Sequence, residues 1–107
     1  MRDGIYYVTF RSNMSDFGNG IAVVKNKAVN GGDFTCVYHG ILKGDSVQLD
    51  VEVHDKSRTS VFGNTEPFTL HLNAVEAAGG YMLSGYVSSQ PQMKIDVDAK
   101  YIGDLVE

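Results

Sequence analysis

Strict alternation of apolar and polar residues is the feature that most constrains the fold of this chain. In residues 46–55, a valine or leucine occupies every second position from Val47 to Val53, with polar side chains between them. Residues 93–102 repeat the pattern, with apolar side chains at the odd positions and Lys or Asp between most of them. Neighbouring side chains of a strand point to opposite faces, so each segment has one buried and one solvated face. The pattern is typical of antiparallel strands and argues against helices here.

Glycines divide the chain into short runs rich in Val, Ile, Tyr, Phe and Thr. The sequence has 12 glycines and only 2 prolines, and no run has a sustained helical period. Residues 30–33 and 43–45 are predicted turns, and residues 56–66 a long polar loop with an apolar centre. Residues 73–78 are either a helix of one or two turns or the end of a strand. The spacing predicts about eight strands, at residues 4–11, 18–25, 27–29, 34–42, 46–55, 67–73, 81–88 and 93–102.

A chain of 107 residues is enough for one domain, which we place at residues 1–107. An open sheet of this many strands with one apolar face would leave that face and two edges exposed. Closure into a barrel removes both problems. We therefore predict an all-β fold, a single eight-stranded antiparallel up-and-down barrel, with a β-sandwich as the alternative. A barrel of this size holds packed side chains or one small ligand.

The charge of the chain argues against direct nucleic-acid binding. The net charge is −4 and the 9 Lys and Arg residues are not clustered, whereas a nucleic-acid binder needs a localised basic patch. Residues 1–4 do not lead into the apolar segment of a signal peptide, and no apolar run approaches the ~20 residues of a membrane span. We expect a cytoplasmic protein without membrane contact. The one cysteine, Cys36, is then a buried small hydrophobe in a reducing compartment.

No residues of the sequence form a recognisable catalytic or metal site. Of the three histidines, His39 has no obvious partner, and His54 and His71 lie on the polar faces of sequential strands. Proximity of that pair is possible, but two solvated side chains are the favoured interpretation. Two carboxylate pairs have a spacing of about 7 Å along a strand, within the glycosidase range, yet lie on solvated faces: Asp50 with Glu52, and Asp96 with Asp98. We expect no enzyme activity, no metal and no cofactor.

Two of the predicted strands carry apolar residues on both faces. In the first, Ile5 and Tyr7 oppose Tyr6, Val8 and Phe10. In the fourth, Val37 and Ile41 oppose Cys36, Tyr38 and Leu42. A strand that is apolar on both sides has its outer face covered as well as its inner one. We therefore predict a homodimer through this region.

Several short segments follow one another in a characteristic order. They are residues 1–6, Gly18-Asn19-Gly20, Gly31-Gly32-Asp33, Ser60-Val61-Phe62 and residues 95–102. Taken together they resemble the GrlR family, negative regulators of a bacterial type III secretion locus, over nearly the whole chain. The residues that carry the resemblance in these segments and just beyond them are Asp3, Gly4, Tyr6, Gly18, Gly20, Gly31, Gly32, Asp33, Tyr38, Gly40, Ala99 and Lys100.

The resemblance implies a lipocalin-like barrel with a hydrophobic cavity, a plug-like loop, a dimer and no catalysis. It also implies negative regulation by binding and sequestering a transcriptional activator. Ser60, Val61 and Phe62 are the plug candidates. The family has a run of four acidic residues after the fourth strand that captures the activator, and this chain departs from it. The matching residues, which we take as partner-binding candidates, are Lys43, Gly44, Asp45 and Ser46.

Only one of those four residues is acidic, so a partner selected by a dense negative patch should bind this surface poorly. An alternative function is that of a carrier or sensor that holds a small apolar or lipid-like ligand in the barrel. In either case the sequence predicts a protein that works by what it holds and what it touches.

Overall fold

The computed structural model describes residues 1–14, 17–63 and 65–106. These residues form an all-β fold in which each strand pairs antiparallel with the next and the last pairs with the first. The result is one closed barrel with up-and-down strand order, which confirms the predicted fold and not the sandwich alternative. The eight strands are β1 (Gly4–Ser12), β2 (Phe17–Lys25), β3 (Ala28–Gly32), β4 (Cys36–Lys43), β5 (Ser46–Val53), β6 (Phe68–Ala77), β7 (Gly80–Val87) and β8 (Gln90–Gly103).

The barrel interior is filled by the apolar half of each alternating strand. In β5 the buried positions are Val47, Val51 and Val53. In β8 Ile95 and Ala99 are buried, while the alternating lysines and aspartates of residues 94–100 are exposed. Tyr6 and Val24 are completely enclosed. Burying a side chain the size of valine or leucine contributes roughly 1.5–3 kcal/mol, so this shared interior is the main source of stability.

Residues 30–33 do not form the predicted turn. Residues 30–32 belong to β3, and the chain reverses between Asp33 and Cys36. In this reversal Asp33 Oδ1 accepts the backbone N–H groups of Thr35 and Cys36 at 2.7 Å each. Gly31 is required by close packing and not by a positive φ, because a Cβ there would lie 2.2 Å from the carbonyl oxygen of Ile21. A glycine pair within a strand was thus mistaken for a turn signal.

Residues 73–78 continue a strand and do not form a helix. β6 runs to Ala77, and the reversal into β7 follows at Gly79, whose φ of 79° is the left-handed conformation that glycine adopts without strain. The strand alternative was therefore correct. The third strand begins later than predicted, because Asn26 and Lys27 form the β2–β3 turn with positive φ angles of 51° and 68°.

The two ends of the barrel differ in their connections. At one end, hereafter the loop end, β1, β3, β5 and β7 finish, and the chain there includes the long connection of residues 54–67. At the opposite end the connections are tight turns, such as Gly44-Asp45 between β4 and β5. Within the described residues there is no helix of the length and apolarity needed to cross a membrane.

Candidate functional site

The barrel encloses a small apolar cavity. Its volume is about 90 Å³, and the lining side chains come from all eight strands and from the 54–67 connection. Most of them are aliphatic or aromatic, as with Val8, Val24, Leu70 and Leu83. An apolar cavity of roughly 150 Å³ stays dry and binds benzene. The cavity therefore has room for a small apolar group, and a longer lipid-like chain needs one wall to move.

A carboxylate and a phenol supply the polar contact at the cavity wall. The Tyr38 hydroxyl donates to Asp33 Oδ2, and both residues line the cavity. Burial, followed by this hydrogen bond to Asp33, raises the pKa of Tyr38 far above its usual value. Gly20 makes room for the pair, because a Cβ at that position would lie 3.0 Å from the Tyr38 hydroxyl and 2.7 Å from the carbonyl oxygen of Gly32. The pair thus depends on a close approach of β2 to β3.

The apolar centre of the 54–67 connection covers the cavity at the loop end. Val61 lines the cavity, and Phe62 is buried with its ring edge-on to Phe68 at a centroid distance of 5.4 Å. The buried Ser12 hydroxyl donates to the Val61 carbonyl at 2.8 Å, and the buried Ser60 hydroxyl accepts the Phe62 N–H at 3.2 Å. These contacts tie the connection to the end of β1. Its role as a plug stays a prediction.

The outer face of β1–β4 carries a group of apolar side chains, hereafter the apolar flank, which Asn30 and His39 interrupt on β3 and β4. Strand register places Ile5 opposite Val23 and Tyr7 opposite Ile21, with Gly32 between Ile21 and Val37. Tyr7 is 39 % exposed and Ile41, further along β4, is 60 % exposed. The outer faces of β5 and β8 instead carry mainly acidic, basic and amide side chains. We define the apolar flank as Ile5, Tyr7, Ile21, Val23, Val37 and Ile41.

The partner-binding candidates form the hairpin between β4 and β5, at the end opposite the loop end. Lys43, Gly44, Asp45 and Ser46 are all exposed, and Gly44 has a φ of 60° that suits the tight turn. The Ser46 hydroxyl donates to Asn73 Oδ1 at 3.2 Å, and the Asp45 carbonyl accepts the Ala74 N–H at 2.7 Å. The hairpin is therefore anchored to β6 and presents one positive and one negative side chain to solvent.

The histidines do not converge. His71 lies opposite Gln48 on β5, whereas His54 follows the far end of β5, where its Nε2 is 2.8 Å from the Asp33 carbonyl oxygen. Six residues of extended chain, roughly 20 Å, separate Gln48 from His54. His54 and His71 therefore lie far apart, and the prediction that they could be near each other is wrong. Within residues 1–14, 17–63 and 65–106, no group of three or more His, Cys, Asp or Glu side chains could hold a metal ion.

The carboxylates and the thiol also lack a catalytic setting. Asp50 is exposed and accepts a hydrogen bond from the Thr69 hydroxyl at 2.8 Å. Asp96 and Asp98 are exposed on β8. Cys36 is buried, and that burial raises the pKa of its thiol to about 11. A thiol with this pKa is almost wholly protonated near neutral pH and is a poor nucleophile.

Most residues that carry the family resemblance have structural roles. Gly4 has a φ of 155°, and a Cβ there would lie 2.3 Å from the Tyr101 ring. Gly18 faces the Phe10 ring and Gly40 the Leu49 side chain in the same crowded way. Asp3 Oδ1 accepts the Asn26 N–H at 3.1 Å, which ties the first residues to the β2–β3 turn. On β8, Ala99 is buried and Lys100 is exposed.

Comparison with known proteins adds no family to this picture: the chain matches no protein-family model and no curated protein. The interpretation of the site therefore rests on the residues and their geometry. Two features escaped the sequence reasoning, namely the Ser12 hydroxyl that holds the 54–67 connection and the exposed rings of Phe17 and Phe34. Ser12 could have been found in the sequence, because it is a polar residue at a position of β1 whose side chain points into the barrel.

Proposed function

We propose that this protein is a regulatory binding protein of the GrlR kind, which acts by holding a transcriptional activator away from its target genes. The observation that supports a role in protein contact is the apolar flank, a group of partly exposed aliphatic and aromatic side chains on the outer face of β1–β4. Surfaces of this kind on small proteins are commonly sites of protein contact. The regulated genes in this proposal are those of type III secretion or a related system, and the location is cytoplasmic.

The apolar flank is assigned in this proposal to a homodimer. Its central cross-strand rows on β1–β4 contain no Lys, Arg, Asp or Glu, and depletion of charge is expected at the core of a homodimer interface. The activator then requires a second surface. The β4–β5 hairpin with Lys43 and Asp45 lies at one end of the barrel and is exposed, so it is available for that contact.

The charges of the β4–β5 hairpin argue against recognition of the activator through a strongly basic surface. The hairpin carries one lysine and one aspartate, whose charges cancel at a distance. A neutral surface gives neither the steering nor the specificity that a dense negative patch supplies. The proposed contact is therefore formed by short-range packing and hydrogen bonds, with little dependence on ionic strength.

Co-expression with a tagged activator of the same bacterium's secretion genes tests this assignment. The wild-type chain should co-purify with the activator, and replacing Lys43 and Asp45 with alanine should reduce its recovery at least tenfold. The matched control replaces Lys94 and Asp96, an exposed lysine and aspartate on β8, and should leave recovery unchanged. Equal recovery of all three forms would exclude the hairpin as the contact.

A second candidate function is suggested by the cavity. We propose, as the alternative, that the barrel carries or senses a small apolar or lipid-like molecule. The aliphatic lining and the 90 Å³ volume support a ligand of few carbon atoms, unless Val61 and Phe62 move aside. Native mass spectrometry of protein purified from its own host tests this: an added mass that denaturation releases supports a carrier, and an unliganded mass contradicts it.

A further inference from the structure

The two most exposed aromatic rings of the described residues line the same cleft at the loop end. Phe17 is 79 % exposed and Phe34 is 83 % exposed. The cleft has a volume of about 500 Å³, and its wall includes Arg58 and Thr59 from the long connection. Small-molecule sites typically measure roughly 300–1,000 Å³ and combine aromatic walls with a few polar groups. This cleft has that size and that composition.

Arg58 is held in place beside one of the rings. Its Nε donates to the Thr35 hydroxyl at 3.0 Å, and its guanidinium carbon lies 6.0 Å from the centre of the Phe34 ring. Among the described residues, the hydrogen bonds of this guanidinium use Nε alone. The two terminal Nη groups therefore remain for a ligand, and a guanidinium donates most favourably to both oxygens of one carboxylate.

The acidic neighbours of Arg58 are already supplied with other hydrogen-bond donors. Asp33, on the inner wall of the cleft, accepts from the Thr35 N–H, the Cys36 N–H and the Tyr38 hydroxyl. Asp55 Oδ1 accepts both the N–H and the hydroxyl of Ser57, at 3.1 and 2.6 Å, and these bonds lower the pKa of Asp55. The nearby charge of Arg58 also contributes to the lowered pKa of Asp55. Among the described residues, neither carboxylate accepts a hydrogen bond from the guanidinium, so its Nη groups stay available in the cleft.

We propose that this cleft binds a small aromatic carboxylate. The aromatic ring of the ligand lies against Phe17 and Phe34, and its carboxylate accepts hydrogen bonds from the Nη groups of Arg58. The Thr59 hydroxyl, on the same wall, offers a further hydrogen bond. The site lies at the loop end, away from the β4–β5 hairpin, so it does not depend on an activator. It adjoins the interior cavity and shares wall residues with it, among them Phe10, Asp33 and Val61.

Titration with 1-naphthoate, followed by the backbone amide spectrum, tests the proposal. The expected result is saturable shifts confined to residues 17–19, 33–36 and 58–61. Naphthalene-1-carboxamide has the aromatic ring without the charge, and cyclohexanecarboxylate has the charge without an aromatic ring. The carboxamide should bind at least tenfold more weakly, because a hydrogen bond to a charged group contributes about 1.5–3 kcal/mol, or roughly 10–150-fold. Cyclohexanecarboxylate should also bind more weakly, because it offers no aromatic face to Phe17 and Phe34. Equal affinity for 1-naphthoate and its carboxamide would overturn the proposal.

Two substitutions assign the contacts. Arg58→Gln should weaken 1-naphthoate binding at least tenfold, and Phe34→Leu should weaken it about 2–10-fold by removing an aromatic face but not an apolar one. Lys100→Gln and Tyr86→Leu are the matched controls on the outer barrel wall and should bind like the wild type. Because all four side chains are exposed, an unchanged amide spectrum outside the cleft verifies the fold. Wild-type affinity in Arg58→Gln would also refute the site.

Discussion

At the scale of single residues, the glycines of this barrel are required more by close strand contact than by turn geometry. Gly20 and Gly31 have no positive φ, yet a Cβ at either position meets the backbone of a neighbouring strand. The Tyr38–Asp33 hydrogen bond occupies the space beside Gly20. These positions therefore determine how tightly β2 packs against β3.

Replacing Gly20 with alanine should destabilise the protein. The new methyl group would lie 2.7 Å from a carbonyl oxygen, so backbone atoms must shift, and overpacking of this kind costs about 1–3 kcal/mol. Urea unfolding measures the loss as a lower midpoint. Gly103→Ala is the matched control, because a Cβ there meets nothing within 4 Å. Equal midpoints for the two variants would show that β2 and β3 are less tightly packed than described.

The buried thiol should make stability depend on pH. Because burial raises the pKa of Cys36 from 9.0 to about 11, the folded protein holds this proton over a pH range in which the unfolded chain has lost it. A state that binds more protons loses stability as pH rises, so the free energy of unfolding should fall between about pH 9 and pH 11. Cys36→Ala should show a shallower decline in urea unfolding over this range. The pKa values of Tyr6 and Tyr38 are also raised. These tyrosines add a further decline in the free energy of unfolding at high pH, which the wild type and Cys36→Ala share.

At the scale of elements, the strands were predictable where one face is buried and the other solvated. β5 and β8 show clean alternation, so their existence and their buried faces followed from the sequence. The turn predicted at residues 30–33 failed because the reason for Gly31, the backbone of Ile21, lies on another strand. The sequence singled out Val61 and Phe62 as apolar residues in a polar loop. It could not show that Arg58 lies beside Phe34, since chain reversals bring them together.

The 54–67 connection should depend on Phe62 for its attachment to the barrel. Phe62→Ala removes the edge-on contact with Phe68, and truncation of a buried phenylalanine costs about 3–5 kcal/mol where the site cannot collapse. We expect a lower urea midpoint and faster amide hydrogen exchange at residues 58–63. Phe34→Ala, at an exposed ring, should change the free energy of unfolding by no more than about 0.5 kcal/mol. Unchanged exchange in Phe62→Ala would mean that the connection is held by its hydrogen bonds alone.

At the scale of the whole molecule, the apolar flank on β1–β4 is bordered on both sides by strands with charged outer faces, because β8 pairs with β1 and β5 pairs with β4. Further exposed apolar side chains lie on β6–β8, namely Val75, Met82, Tyr86 and Ile102. If the flank is a dimer interface, Ile21→Lys should place a charge in it and give a monomer in sedimentation velocity at micromolar concentration. Ser84→Lys adds the same charge at an exposed position of β7, which does not pair with any strand of the flank, and should leave the dimer intact. A monomeric wild-type protein would remove the dimer from the account.

In the function that we propose, the barrel keeps a transcriptional activator from its DNA. An electrophoretic mobility-shift experiment with the activator, its promoter fragment and increasing amounts of the barrel tests this most directly. We expect the barrel alone to leave the DNA unshifted, because its net charge is −4 and its 9 Lys and Arg residues are not clustered in the sequence. Adding the barrel should release the activator from the DNA in a saturable manner. An activator that stays fully bound to the promoter in the presence of excess barrel would contradict the account.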